Sequence, residues 1–314
     1  MANTSVEYIF GCPSSHYDLA FEPCLYSQED FLRLKDYSLQ SFYAINRQQK
    51  RAEARVHFTT RKQADSVIRA ISLPELPFGS LEYGAHITSE QLSDLLNFVY
   101  ENLTKDKVTS LEIRDCAPVY RCDTADLLPQ LLQSQGFTVK EQKVNHHIPV
   151  DAKPFLEKIH AMQKRRLRKC VRAGFTFRTE PLTKLVSVYK FIQQCRAERG
   201  WSLSLSLEQL AGLVEKFPER YHLFSVVDQN QRMAAATVVV QVNKNILYNF
   251  YPASPIRYSS FSPLVYLIYQ LYDFASHRQF RYIDLGISTT ESLKNFKSRM
   301  GGVLSYKKTY LLQW

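Results

Sequence analysis

The sequence predicts an α/β protein in which one α+β unit is built twice, each copy a mixed, mostly antiparallel sheet flanked by helices. Three observations lead there. The first is an internal repeat: helix 88–104, strand 108–114, helix 124–135, a Gly-Phe break and strand 137–149 match helix 263–277, strand 281–287, helix 290–300, a Gly-Gly break and strand 303–312. The second is a run of three consecutive strands, at 223–227, 233–242 and 245–251, which reads as a meander leading into the second copy. The third is size: 314 residues, 45% of them hydrophobic and 22% charged, can bury two cores of ordinary extent. The boundary is expected near residue 150, giving domains 1–150 and 151–314.

The elements follow from local patterns. Tyr8–Phe10 reads as a short strand, and Ser27 as the N-cap of a helix with acidic residues in its first turn. Residues 54–60 alternate and predict a half-buried strand. The Pro- and Gly-punctuated stretch 72–84 is a loop with strand character near Ser80–Tyr83. After Thr88, the spacing of Leu92, Leu95, Leu96, Val99 and Leu103 predicts an amphipathic helix. Strand 137–149 alternates at Val139, Val144 and Ile148. One long helix is expected over 154–173, with Leu156, Ile159, Gln163, Leu167 and Val171 inward and Gly174 as its stop. Strand 175–179 and helices 182–199 and 206–217 precede the meander.

Charge divides the chain. Residues 1–150 hold 15 Lys plus Arg against 19 Asp plus Glu, a balance of −4, and residues 151–314 hold 25 against 11, a balance of +14. An anionic partner is expected for the second half: nucleic acid, a phosphate-bearing cofactor or an anionic substrate, with plain solvation as the alternative. The basic run Lys164–Lys169 could bind RNA or face solvent. The six cysteines have no C-x-x-C pair and no His at zinc-ligand spacing, so reduced thiols and no metal are expected. His146 and His147 are adjacent on a strand and point to opposite faces, which disfavours joint metal binding. No run of 18 apolar residues predicts a membrane span. Met1–Glu7 lacks a signal-peptide pattern, and a cytoplasmic protein is expected.

The candidate site residues cluster after 245. Ser262-Pro263 reads as N-cap and first residue of a helix, and with Arg257, Ser259 and Ser260 that end could take a phosphate, or be a capped helix alone. Asp284, polar in an apolar strand, could bind an amine, act as a base or cap the next turn. Phe296-Lys297 follows in a short helix, where Lys297 could meet a phosphate or a developing oxyanion, or simply face solvent. Tyr251 could handle an amine proton or be a core aromatic. No P-loop, G-x-G-x-x-G, G-x-S-x-G or metal motif competes.

These residues carry a resemblance. Ser72–Gly84 with Leu111–Arg114, Gln163–Gly174, Arg281–Ser288 ("Y-x-D-f-G") and Ser292–Gly301 ("G-L-x-x-F-K-x-x-x-G") resemble, in order and spacing over about 70–312, the Fem-type transferases of peptidoglycan bridge synthesis and the related BioF-like acetyltransferases. Both stand on the GNAT acyltransferase fold. The resemblance implies two tandem GNAT-like domains, the first degenerate and the second working. It implies transfer of an acyl or aminoacyl group to an amine, a small molecule or a cell-envelope precursor. The donor would be acyl-CoA or acetyl-CoA, or a charged tRNA as in the Fem branch, and no metal takes part. Lys297 and Phe296 match the family's "F-K" pair. The amine attacks directly, Tyr251 and Asp284 are the side chains expected to handle its proton, and a splayed strand edge within 223–251 holds the donor. Two departures stand out. Pro255–Ser262 has none of the glycines of the usual pyrophosphate loop, and no coiled-coil arm interrupts 180–220. A non-catalytic GNAT-like binding protein is the remaining alternative.

Overall fold

The computed structural model describes residues 6–13, 17–34, 38–62 and 67–314. Residues 1–5, on which most of the signal-peptide reading rests, lie outside the described residues. The chain divides into two compact units, one running to Lys143 and including Tyr306–Trp314, the other Val144–Ser305.

The first unit contains β1 (Glu7–Phe10), β2 (Asp18–Leu19), α1 (Glu29–Arg33), β3 (Leu39–Asn46), β4 (Arg51–Lys62), β5 (Ile68–Ser72), β6 (Glu82–Tyr83), α2 (Ser89–Lys105), β7 (Ser110–Arg114) and α3 (Leu128–Ser134). Strand β8 (Thr138–Pro149) starts here and ends in the second unit. The sheet runs β1-β3-β4-β5-β7. It is antiparallel except where β5 meets β7, the pair bridged by α2, and where β2 joins β4. Helix α2 meets its expectation in full. Thr88 and Gln91 form a reciprocal capping box, and Leu92, Leu95, Leu96, Val99 and Leu103 are all buried.

The second unit contains α4 (Phe155–Lys158), α5 (Ala161–Arg172), β9 (Thr176–Glu180), α6 (Leu185–Ala197), α7 (Leu207–Lys216), β10 (Tyr221–Val227), β11 (Met233–Gln241), β12 (Ile246–Asn249), α8 (Pro263–His277), β13 (Tyr282–Ile287) and α9 (Glu291–Arg299). Its sheet runs β8-β13-β12-β11-β10-β9. The expected meander is present, since β10–β11 and β11–β12 are both antiparallel. Only β12–β13 is parallel, bridged by α8. Val265, Ile268, Leu271 and Ala275 of α8 pack on Phe224, Val239, Leu247 and Ile283 of the sheet. Each large apolar side chain buried this way contributes about 1.5–3 kcal/mol.

The last strand, β14 (Val303–Gln313), begins in the second unit, and its Thr309–Gln313 pair antiparallel with β7 of the first. The chain's closing residues therefore belong to the first unit, where the expectation of a division at 150 put them in the second. In turn the strand that ends the first repeat, β8, pairs antiparallel with β13. Both units are mixed, mostly antiparallel sheets flanked by helices, as the fold class requires.

Local corrections have local causes. Helix 154–173 is broken: Ile159 is extended (ψ 148°), and His160 caps α5 through Nδ1, which accepts from the Met162 amide. The break turns the face, so Cys170 is buried while Leu156 and Val171 are exposed. Helix 124–135 shortens to α3. Gln28, not Ser27, occupies the N-cap position of α1, and Ser27 Oγ donates instead to the Cys24 carbonyl. Strand β4 is buried continuously from Ala52 to Thr59, because Arg55 is paired with Glu82 and His57 with Ser41. Val139 on β8 is exposed.

Candidate functional site

Strand β12 is short for a reason that opens the site. After Asn249 the amides of Phe250 and Tyr251 both donate to the Val238 carbonyl, and pairing resumes only at the Ala236–Ala253 bridge. Two residues thus face one, the geometry of a bulge. The chain leaves the sheet there and enters α8 through residues 252–262. A cavity of about 500 Å³ lies at this point, at the carboxyl ends of the parallel pair β12–β13. Crevices of this size and position hold ligands in open α/β sheets.

Four sets of residues form the walls. Asn249 and Leu285 come from the strands; Pro252–Pro255, Ser259, Ser262 and Pro263 from the connection; Thr290, Leu293, Phe296 and Lys297 from α9 and its cap; and Arg166, Arg196, Arg199 and Trp201 from α5, α6 and the turn after it. Four lining residues are cationic and none is acidic. The cavity therefore has a positive potential and no carboxylate or imidazole to serve as a base.

Ser259, Ser262, Phe296 and Lys297 are brought together on this cavity, as four of the sequence-predicted residues. Ser262 occupies the N-cap position of α8 with Pro263 next, yet its side chain makes no cap bond; Oγ donates to the Ser259 carbonyl. Its backbone is left-handed (φ 56°, ψ 55°), a conformation that ordinarily selects glycine. The glycine-free loop thus makes a left-handed turn with a serine. Lys297 is buried, and its Nζ donates to the carbonyls of Gly286 (2.9 Å) and Ile287 (2.6 Å).

Asp284 explains how those two carbonyls converge. It is fully buried, and its Oδ1 accepts from the Gly286 amide (2.7 Å) and from Asn145 Nδ2 (2.9 Å). Gly286, at φ 75°, follows a register shift in the β13–β8 pairing. Of the readings open for Asp284, capping of the next turn is the one its contacts display. Asp284 is not among the residues that line the cavity. Tyr251 is also off the cavity. Its hydroxyl shares a 2.6 Å hydrogen bond with Ser204 Oγ and accepts from the Leu205 amide (3.0 Å), and burial raises its pKa. Arg257 lies beside the Tyr258 ring and Ser260 is exposed, its carbonyl accepting from Lys169 Nζ; neither lines the cavity.

Sequence reasoning missed Asn249, Arg196, Arg199 and Trp201, and took Arg166 only as part of the basic run Lys164–Lys169, not as a cavity residue. Asn249 is nearly buried, and Thr237 Oγ1 donates to its Oδ1 (2.6 Å), leaving the amide nitrogen as the group offered to the cavity. The run Arg196-x-x-Arg199-Gly-Trp201 at the end of a helix was the visible signal for the α6 wall. His146 and His147 do face different partners: Ser288 and Ser298 for the first, Ser305 for the second. Burial lowers both pKa values, and Lys297 adds to the effect on His146. Among the described residues no group of three or more His, Cys, Asp or Glu is placed to hold a metal, and no helix is long and apolar enough to cross a membrane. All six cysteines are free thiols.

The architecture matches solved structures. FemX superposes with a TM-score of 0.69 at 14% identity, covering 94% of each chain. The fold is Fem/GNAT-like. The same Fem/GNAT-like arrangement appears in L-PGS from Bacillus licheniformis (TM-score 0.57, 11% identity, 82% of this chain and 80% of that one). It appears again in a tandem GNAT protein from the clavulanic acid biosynthesis pathway (TM-score 0.51, 13% identity, 88% and 83%). No protein-family model matches the sequence, and no curated protein matches it.

Proposed function

We propose that the second unit transfers an acyl group from acyl-CoA to an amine. The observation that carries this reading is the cationic, carboxylate-free cavity at the open ends of β12 and β13. The Fem/GNAT-like fold supports it. An acyl thioester supplies an activated carbonyl. Ser259, Ser262 and Phe296 would hold the donor along the connection into α8, with Arg257 and Ser260 exposed beside it. Asn249 presents an amide donor fixed by Thr237, suited to a carbonyl oxygen that gains negative charge. Lys297 holds the carbonyls of Gly286 and Ile287 and adds positive charge to the wall. With no base on the wall, the amine enters in its neutral form, and proximity is the main contribution. The first unit is read as the degenerate copy, and a cytoplasmic location goes with this donor.

One observation favours a second donor, an aminoacyl-tRNA. Helix α5 exposes Arg165, Arg168, Lys169 and Arg172 to solvent while Arg166 of the same helix lines the cavity. Phosphate contacts of that kind weaken steeply with salt.

The test is calorimetry of the full chain with acetyl-CoA and longer acyl-CoAs, followed by a thiol-release assay over a panel of amines. Saturable binding and release that depends on the amine are expected. Absence of heat at millimolar acyl-CoA, with binding of charged tRNA that fades with salt, would transfer the reading to the tRNA donor. Binding without turnover of any amine would leave a non-catalytic binding protein.

A further inference from the structure

Arg196 is out of balance with its surroundings. It stands in the last turn of α6 on the cavity wall, and its Nε is buried with no hydrogen-bond partner. The residue as a whole is half-buried, and arginines with buried side chains are treated differently: Arg55 pairs with Glu82 at 2.8 Å and Arg121 with Asp115 at 2.6 Å. Arg196 pairs with no carboxylate among the described residues. What faces it is the ring of Tyr251, 5.3 Å away, and the phenol groups of Tyr251 and Tyr248. Burial lowers its pKa, the mark of a cation short of compensation. Tyr251 is itself nearly buried and locked by Ser204 and Leu205, so the guanidinium rests on a rigid shelf.

A half-buried guanidinium whose buried Nε has no partner is better satisfied when an anion completes it. Guanidinium matches planar or tetrahedral oxyanions through parallel N–H donors. Arg166 and Arg199 reinforce the positive field, but each already has a use: Arg166 reaches Gln163 Oε1 and Arg199 donates to the Cys195 carbonyl. Arg196 also stands on a different wall from the 259–263 connection assigned to the donor.

We propose that Arg196 is the anion-recognition residue of the cavity, and that the amine acceptor carries a carboxylate or phosphate that seats against it. Calling that ligand the acceptor rests on the acyl-transfer reading; the anion site itself does not. The acceptor class is then an amine with an oxyanion at its far end, an amino acid or a phosphorylated amine, not a simple neutral-tailed amine.

Trp201 provides the readout, since it lines the same cavity at 46% exposure and only one other tryptophan exists. In a Trp314→Phe background, Trp201 emission is titrated with 4-aminobutyrate, O-phosphoethanolamine, ethanolamine and coenzyme A. Saturable shifts are expected with one or both anionic amines and not with ethanolamine; which of the two binds tighter separates carboxylate from phosphate. Arg196→Gln should weaken the anionic amines at least tenfold, Arg196→Lys should recover part of the loss, and Arg232→Gln, exposed and off the cavity, should change little. Coenzyme A affinity should be unchanged in Arg196→Gln. Equal binding of ethanolamine, an unchanged affinity in Arg196→Gln, or a loss confined to coenzyme A would overturn the proposal. Should Arg196→Gln not fold, Arg196→Lys decides, because a recess built for an oxyanion keeps a measurable preference for the anionic amines with lysine in place. Failure of the acyl-transfer reading shows separately, as no thiol release while the Arg196-dependent anion binding persists.

Discussion

Lys297→Met gives the most direct measure of how the site is built. The lysine is 9% exposed and donates to two carbonyls, at 2.9 and 2.6 Å. A hydrogen bond to a charged group contributes about 1.5–3 kcal/mol, and a buried carbonyl left unmade costs about 1–3 kcal/mol. Methionine keeps much of the volume and the ladder around Gly286 can relax in part, so a net loss of about 2–4 kcal/mol is expected. For a body the size of Val144–Ser305 that corresponds to a fall in Tm of about 4–16 °C. The assay is urea unfolding followed by Trp201 in a Trp314→Phe background, so that the signal belongs to the second unit. Acyl transfer is measured on the same variant at a temperature where it remains folded. A Trp201 transition that moves by under about 0.5 kcal/mol would refute the reasoning, because it would mean that the two carbonyls are as well satisfied without the lysine.

Gly286→Ala forces a side chain at φ 75° with its Cβ 3.2 Å from the Tyr248 ring, and should cost about 1–3 kcal/mol of stability by the same unfolding assay. Ser262→Gly relaxes a left-handed residue and should leave stability unchanged or raise it by up to about 1 kcal/mol in the same unfolding assay, while loss of the hydroxyl from the cavity wall should weaken acyl-CoA binding. Tyr251→Phe removes the hydroxyl that holds Ser204 and Leu205 and should cost about 1–2 kcal/mol. Burial, and then neighbouring Arg55 or Arg278, depresses His57 to a pKa of about 3 and His222 to about 4. The unfolded chain takes up these protons first, so the stability they contribute is complete above about pH 6.5. It is lost as pH falls from there toward the folded values, at about 1.4 kcal/mol per pH unit for each histidine. Urea midpoints between pH 7.5 and 4.5 check this, and His222→Gln should make the dependence shallower.

The legible parts of this chain are those where one side-chain period dominates. Helix α2 and helix α8 were readable to within a residue because their apolar faces repeat over four turns or more. Strand β4 was half-readable: alternation found it, but the burial of Arg55 and His57 depends on Glu82 and Ser41, which no local pattern announces. The break at Ile159–His160 hinges on one histidine acting as a cap, a role that its sequence position does not advertise. At the site, Phe296-Lys297 was visible as a pair, whereas the partners of Lys297 are main-chain carbonyls and leave no trace in residue identities. Arg166 and Arg196 come from two helices of unrelated period and meet only in three dimensions.

The strand exchange has a consequence for the time order of folding. Strand β7 acquires its partner β14 from residues such as Thr309, opposite Arg114 and 195 positions later in the chain. A ribosome that has finished the first repeat has therefore made a sheet with a bare edge, and that edge stays bare while the whole second unit is synthesised. Exposed edges template pairing with other chains, and closing so long a loop is slow. A fragment ending at Lys143 should be prone to self-association. Adding Tyr306–Trp314 as a separate peptide should suppress it, so that the nascent chain depends on its own last strand as a late-arriving guard.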